Sequence, residues 1–327
     1  KWNVSNVTDM SFMFEAARHF DQDIGGWIVS NVTNMCSMFG LAHSFNQDIS
    51  KWDVSNVKDM KFMFYHTLCF NQPLEQWNVG NVLRMNCMFR NSICFNQPLN
   101  KWNVGNVLSM NQMFRGSEKF NQPLDKWDVR NVKNMAGMFR NAKIFNQSLG
   151  SWNTSKVLEM NSMFRNSKRF NKSIESWDVK NVINMRCMFF NSTAFNQPLE
   201  QWDVRNVYDM SCMFRDASKF NQPLGEWAVN KVTNMMSMFA GAVSFNQEIS
   251  QWCVSNVKSM RCMFFNAREF NQPLEDWEVV DVTDMHSMFC NARTFNQDIS
   301  EWNVSNGTFV DDMFFNTSCV TLPKWSK

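Results

Sequence analysis

The sequence predicts an α/β solenoid, with one short strand and one short helix in each of about thirteen 25-residue repeats. Three observations lead there. Tryptophan recurs at 2, 27, 52, 77, 102, 127, 152, 177, 202, 227, 252, 277 and 302, with no insertion or deletion between copies. A fixed period of this length marks stacked units, none of which buries its own apolar face. Within each period the apolar residues change from a three-to-four spacing to a spacing of two, and turn-forming residues stand between the two regimes. The 327 residues are therefore read as one solenoid domain, although length alone suggests about two or three domains.

The stretch Trp102 to Lys126, WNVGNVLSMNQMFRGSEKFNQPLDK, carries each element. Val107, Met110, Met113, Phe114, the small Ser117 and Phe120 follow the spacing of one helical face, which predicts a helix of about two turns. Its start is marked by Asp9, Asn34, Asp59, Asn134, Asn184, Asp209, Asn234 and Asp284, whose side chains accept an orphan backbone N–H. Its end is marked by Asn91, Gly116, Asn141, Asn166, Asn191, Gly241, Asn266, Asn291 and Asn316, residues that tolerate the left-handed conformation. Leu99, Trp102 and Val104 alternate with polar residues at 101, 103 and 105, which predicts a strand with one buried face. Pro73, Pro98, Pro123, Pro198, Pro223 and Pro273 precede it, where no ladder N–H is yet needed. Stacking buries both apolar sets, at about 1.5–3 kcal/mol for each large side chain.

The pattern decays near the C-terminus. Gly307, Val310 and Val320 replace the usual Val, Met and Phe, and Trp325 follows Trp302 by only 23 residues. Residues 302–327 are expected to be a degenerate terminal repeat, capping the last core layer.

Composition narrows the function classes. A net charge of +2 leaves no basic excess for a phosphate backbone, so nucleic acid is not an expected partner. No apolar run reaches the roughly 18–20 residues of a membrane span.

The unit W-[DN]-V-S-N-V-x-[DN]-M-x-x-M-F-x-x-[AS]-x-x-F-N-Q-[PD]-[LI] covers essentially the whole chain. It resembles the BspA-like leucine-rich-repeat surface proteins, and the run Leu99-x-x-Trp102-x-Val104-x-Asn106-Val107-x-x-Met110 looks like a leucine-rich-repeat strand segment. Here the Asn sits one residue earlier than in the common leucine-rich repeat, and Trp and Met replace Leu. The resemblance implies a right-handed α/β solenoid, a cell-surface or extracellular location and a role in adhesion or binding. It names no catalytic residue.

Two asparagine ladders follow from stacking, one through Asn6, Asn31, Asn56, Asn81, Asn106 and Asn131, the other from Asn46 and Asn71 to Asn296. Such amides bond one another or satisfy loop backbone groups, and a structural role is expected for both. Sequons recur within the first ladder, but Asn316-Thr-Ser318, near the frayed end, is the better glycosylation candidate. The Met-Met-Phe stripe reads as core packing, although Met is a soft metal ligand. His19, His43, His66 and His286 show no ligand spacing and there is no Cys-x-x-Cys, so neither a metal nor another cofactor is expected. No nucleophile and base share a layer, so the chain is not expected to be an enzyme. Cys69 and Cys94 share a phase, as do Cys187 and Cys212. Each pair could therefore be bridged. The leading reading is that Cys alternates with Ser, Gly or Ala at small-residue sites such as Ser37, Gly137 and Ser162, and cysteine usage leaves the redox compartment open.

Function then rests on the surface. Helices are about 10 Å across and paired strands about 4.8 Å apart, which predicts a concave strand face, and concave solenoid faces commonly bind partners. On that face Lys126, Asp128, Arg130, Asp178, Lys180, Asp203 and Arg205 place acidic beside basic columns. They are the expected contacts for a protein or glycan partner. Arg90, Arg115, Arg140, Arg165 and Arg215 form a second row after Met-Phe, read as a solvated face. The leading expectation is a non-enzymatic recognition or adhesion module. The alternative is a structural rod or spacer in a filament, coat or surface layer, with self-assembly.

Overall fold

A computed structural model describes residues 2–319 and 323–326; Val320 lies outside them. The chain divides into two compact units, 1–157 and 158–327.

In the first unit consecutive repeats stack as layers joined by parallel bridges, Asp9 to Asn34 and onward through Ser109 to Asn134. The expected helix is absent. Among the described residues the only helix is one 3₁₀ turn, Lys324–Ser326. Over 107–117 the backbone instead makes overlapping turns: the N–H groups of Met113, Arg115 and Ser117 donate to the carbonyls of Met110, Gln112 and Phe114, each at 3.1 Å. Gln112 (φ 54°) and Gly116 (φ 71°) are left-handed, and the same two positions are left-handed in every repeat. A right-handed helix admits neither. The N–H groups of Met110, Gln112, Phe114 and Gly116 donate to Asn134, Ala136, Met138 and Arg140 of the next layer, at 3.0, 2.8, 2.9 and 2.7 Å. A turn with positive φ at its third residue returns residue i+3 to the side of residue i, so a three-to-four apolar spacing suits it as well as it suits a helix.

The expected strand over Leu99–Val104 is also corrected. Turns close from Trp102 N–H to Leu99 (3.0 Å) and from Val107 N–H to Val104 (2.9 Å), and the bridges fall at 84, 109 and 134. The alternation of buried Trp102 and Val104 with exposed Asn103 is real, yet it belongs to a corner. The fold is a turn-built stack in place of an α/β one. With no helical layer to widen one side, the basis for a concave strand face is gone.

Side chains tie the layers together. Trp102 and Trp127 stack at 6.4 Å and 2°, Phe89 and Phe114 at 5.6 Å and 3°, and Phe95 and Phe120 at 6.1 Å and 8°. Trp102 is 2% exposed, and its indole N–H donates to the Leu74 carbonyl at 2.8 Å, which satisfies the one polar group the ring carries into the core. Met110, Met113 and Phe114 are fully buried, as expected of core residues.

The second unit repeats this scheme, with bridges from Glu159–Asn184 to Asp284–Phe309. Trp227 stacks on Trp252 at 6.4 Å and 3°, and the Trp302 indole donates to Leu274 at 2.9 Å. Trp325, although early in the period, stacks on Trp302 at 6.1 Å.

Candidate binding surface

The corner that follows each Trp is built by an Asx turn. In the first unit the side-chain oxygens of Asp53, Asn103 and Asp128 accept the N–H two residues on, from Ser55, Gly105 and Arg130. This is what Asp and Asn do at turns, and it explains why one of the two predominates at this position. Asn106 completes the corner by donating its side-chain amide to the Gly80 carbonyl at 2.7 Å. Asn31, Asn56, Asn81 and Asn131 repeat that bond. In the second ladder the backbone N–H of Asn71 donates to the Asn46 side-chain oxygen, and that of Asn96 to the Asn71 side-chain oxygen, each at 2.9 Å. Both ladders therefore satisfy backbone groups of neighbouring layers. Asp9, Asn34, Asp59 and Asn134 likewise accept the N–H two residues on, so they cap a turn in place of a helix.

The expected contact residues all reach the surface. In the first unit Lys126 and Arg130 are exposed and Asp128 is half-buried. Arg130 Nε meets Asp128 Oδ1 at 2.8 Å, and this guanidinium bond first, then the Arg130 backbone N–H, holds the Asp128 carboxyl below the usual carboxylate range against partial burial. In the second unit Lys180 pairs with Asp178 at 3.0 Å and Arg205 with Asp203 at 2.8 Å. Each carboxylate thus serves its own turn and its own cation. The alternating charge seen along the sequence is a set of clasps closed within single repeats.

In the arginine row Arg90, Arg115, Arg140 and Arg165 are half-buried and Arg215 is exposed, and Arg90, Arg165 and Arg215 lie over aromatic rings. Arg90 lies 5.3 Å from the Tyr65 ring centroid in the first unit. Arg165 and Arg215 lie 4.3 and 5.6 Å from that of Phe190 in the second. One grouping was not visible in the sequence: the His43 and His66 rings approach to 5.4 Å, because they stand in adjacent layers 23 residues apart. Burial, then His66, lowers the pKa of His43. Only with the 25-residue register in hand does that spacing indicate proximity. All ten cysteines carry free thiols, including both in-phase pairs. Among the described residues no three His, Cys, Asp or Glu side chains are placed to hold a metal ion, and no helix is long and apolar enough to cross a membrane.

Comparison with solved structures gives slight likenesses. An internalin of Listeria monocytogenes str. 4b F2365 matches at TM-score 0.25 and 9% identity, over 90% of this chain and 82% of its own. A leucine-rich-repeat protein of Leptospira interrogans matches at 0.24 and 8%, over 89% and 78%. The plant peptide hormone receptor RGFR1, solved in complex with RGF2, matches at 0.20 and 7%, over 92% and 57%. Comparison with curated proteins gives no match. The repeats themselves are matched by one family model in four overlapping passes, 1–93, 70–172, 145–242 and 223–325. With its length tiled in this way, the chain belongs to the family described as Mycoplasma protein of unknown function, DUF285.

Proposed function

We propose that this chain is a non-catalytic recognition or adhesion module of the BspA-like kind, displayed at a cell surface, that binds protein or glycan through its Asx-turn corners. The observation that carries this reading is the division of labour within each repeat. Inward positions keep the same Trp, Val, Met and Phe in layer after layer. Outward positions change: 101, 103 and 105 are Lys, Asn and Gly, whereas 126, 128 and 130 are Lys, Asp and Arg. A rigid scaffold with varied exposed side chains is what repeat proteins use for binding. The ion pairs at Arg130, Lys180 and Arg205 are exposed and screened by solvent, so these cations transfer to a partner's acidic groups at small cost. The rod or spacer reading rests on the uniform layers and makes no use of the variation.

The acidic partners are poor choices for a test, because Asp128, Asp178 and Asp203 also form turns. We therefore choose the variant Lys126→Glu, Arg130→Glu, Lys180→Glu, Arg205→Glu, applied to an immobilised protein over which surface extract is passed. Saturable binding that the variant abolishes, with thermal unfolding unchanged, supports recognition. Binding that survives all four reversals overturns the assignment of these residues. Ordered self-association without a saturable ligand favours the rod.

A further inference from the structure

Cys187 and Cys212 stand at the same position of adjacent layers in the second unit. Their layers are joined by the bridge from Asn184 to Asp209 and by the Cys187 N–H, which donates to the Ser211 carbonyl at 2.9 Å. Both residues are left-handed at φ 56°, so their side chains leave the backbone in the same sense, with thiol beside thiol. Layers joined by such bridges lie about 4.8 Å apart, within the Cα separation of about 4.4–6.8 Å that a disulfide accepts.

The surroundings are cationic. Arg165 Nη1 lies 3.8 Å from Cys187 Sγ. The Phe190 ring takes the Arg165 guanidinium at 4.3 Å and that of Arg215 at 5.6 Å, so one aromatic ring holds two guanidiniums beside the thiols. The Cys212 S–H, then Arg165 and Arg186, bring Cys187 below the ordinary thiol range against the effect of burial, and Cys212 is raised in turn. Cys87 and Cys262 occupy the same position of other layers, have no cysteine at the equivalent position of the adjoining layers, and are raised by burial. One column therefore contains two kinds of thiol.

We propose that Cys187 and Cys212 form a hydroperoxide-reactive dithiol that closes to a disulfide between layers. The Cys187 thiolate attacks one oxygen of the hydroperoxide. The O–O bond breaks, the leaving alkoxide takes a proton to become an alcohol, or water when the oxidant is hydrogen peroxide, and Cys187 becomes a sulfenic acid. Cys212 then gives up its proton and attacks the Cys187 sulfur, forming the S–S bond and releasing hydroxide, which is protonated to water. Two thiols lose two electrons and one hydroperoxide gains them. A small oxidant suits the site, since the residues are only 5% and 7% exposed, and a thiolate reacts where a thiol does not.

The test treats the full chain with hydrogen peroxide, alkylates the remaining thiols and maps them by peptide mass. A Cys187–Cys212 disulfide is expected, formed at least about tenfold faster than Cys87 or Cys262 is lost. Cys212→Ser should fold, since Ser237 occupies the same position one layer on, and a dione probe should then trap the sulfenic acid at Cys187. Equal rates at all four cysteines, or a Cys187 that the probe never labels in the folded variant, would overturn the proposal.

Discussion

The arc Met110–Ser117 and the corner Trp102–Asn106 belong to one repeat and are held by different means. Along the arc alternate backbone N–H groups donate to the next layer, so the outward side chains at 111, 112 and 115 leave its hydrogen bonding unchanged. At the corner the bonds run through side chains: Asn103 to the N–H of Gly105, Asn106 to the Gly80 carbonyl, and Trp102 to the Leu74 carbonyl. Substitution should therefore be tolerated on the outside of the arc, except where φ is positive, while at the corner it divides sharply by residue.

Trp102→Ala gives the largest expected effect. It empties a layer of the core and leaves the Leu74 carbonyl without its donor, for a loss of about 3–5 kcal/mol in denaturant unfolding. An unchanged midpoint would show that the ring contributes nothing to the core.

Gly116→Val probes the arc. An added Cβ would overlap the Asn91 side-chain oxygen, and a β-branched residue at φ 71° costs about 1–3 kcal/mol. An unchanged midpoint would mean that 116 is not left-handed, and the turn description would fail there.

The corner carboxylates predict a pH dependence. Asp53 is held below its ordinary range by Ser55, first through its hydroxyl, and Asp128 by Arg130. A carboxyl with a depressed pKa stabilises the fold above its unfolded value and loses that contribution as pH falls through the folded value. The urea midpoint should hold from neutral pH to about 5 and decline below about 4. Asp53→Asn with Asp128→Asn keeps the turn, as Asn103 does naturally, and should lessen the decline. The same slope in both proteins would separate these groups from acid sensitivity.

Lys101→Ala gives the smallest effect. Its pair with Glu75 at 3.3 Å leaves the lysine side chain 63% exposed, and the change should stay within about 0.5 kcal/mol. A larger loss would give the corner's outer charges a structural part.

The sequence made the layers legible, because one 25-residue period places Trp102 over Trp77 and Asn96 over Asn71 whatever the backbone does between them. The buried residues were legible for the same reason. Backbone type was not, since Met110, Met113 and Phe114 satisfy a helix and a run of turns alike. The asparagine and glycine at 91, 116 and 141 did signal left-handed residues, and their φ angles of 58°, 71° and 61° agree. The second left-handed position signalled itself by glycine only at Gly137, because elsewhere it is filled by residues such as Phe12, Cys87 and Gln112. At the expected contact residues the alternation of Asp with Lys or Arg was visible, but its closure into clasps depends on side-chain direction, which no spacing reports.

Along the arc the backbone bonds outward to the next layer. Couplings across hydrogen bonds, measured by NMR on the deuterated protein, test this most directly. The Phe114 amide nitrogen should couple to the carbonyl carbon of Met138, and that of Gly116 to that of Arg140. Couplings from Phe114 to Met110 and from Ser117 to Met113, the pattern of an α-helix, would contradict it.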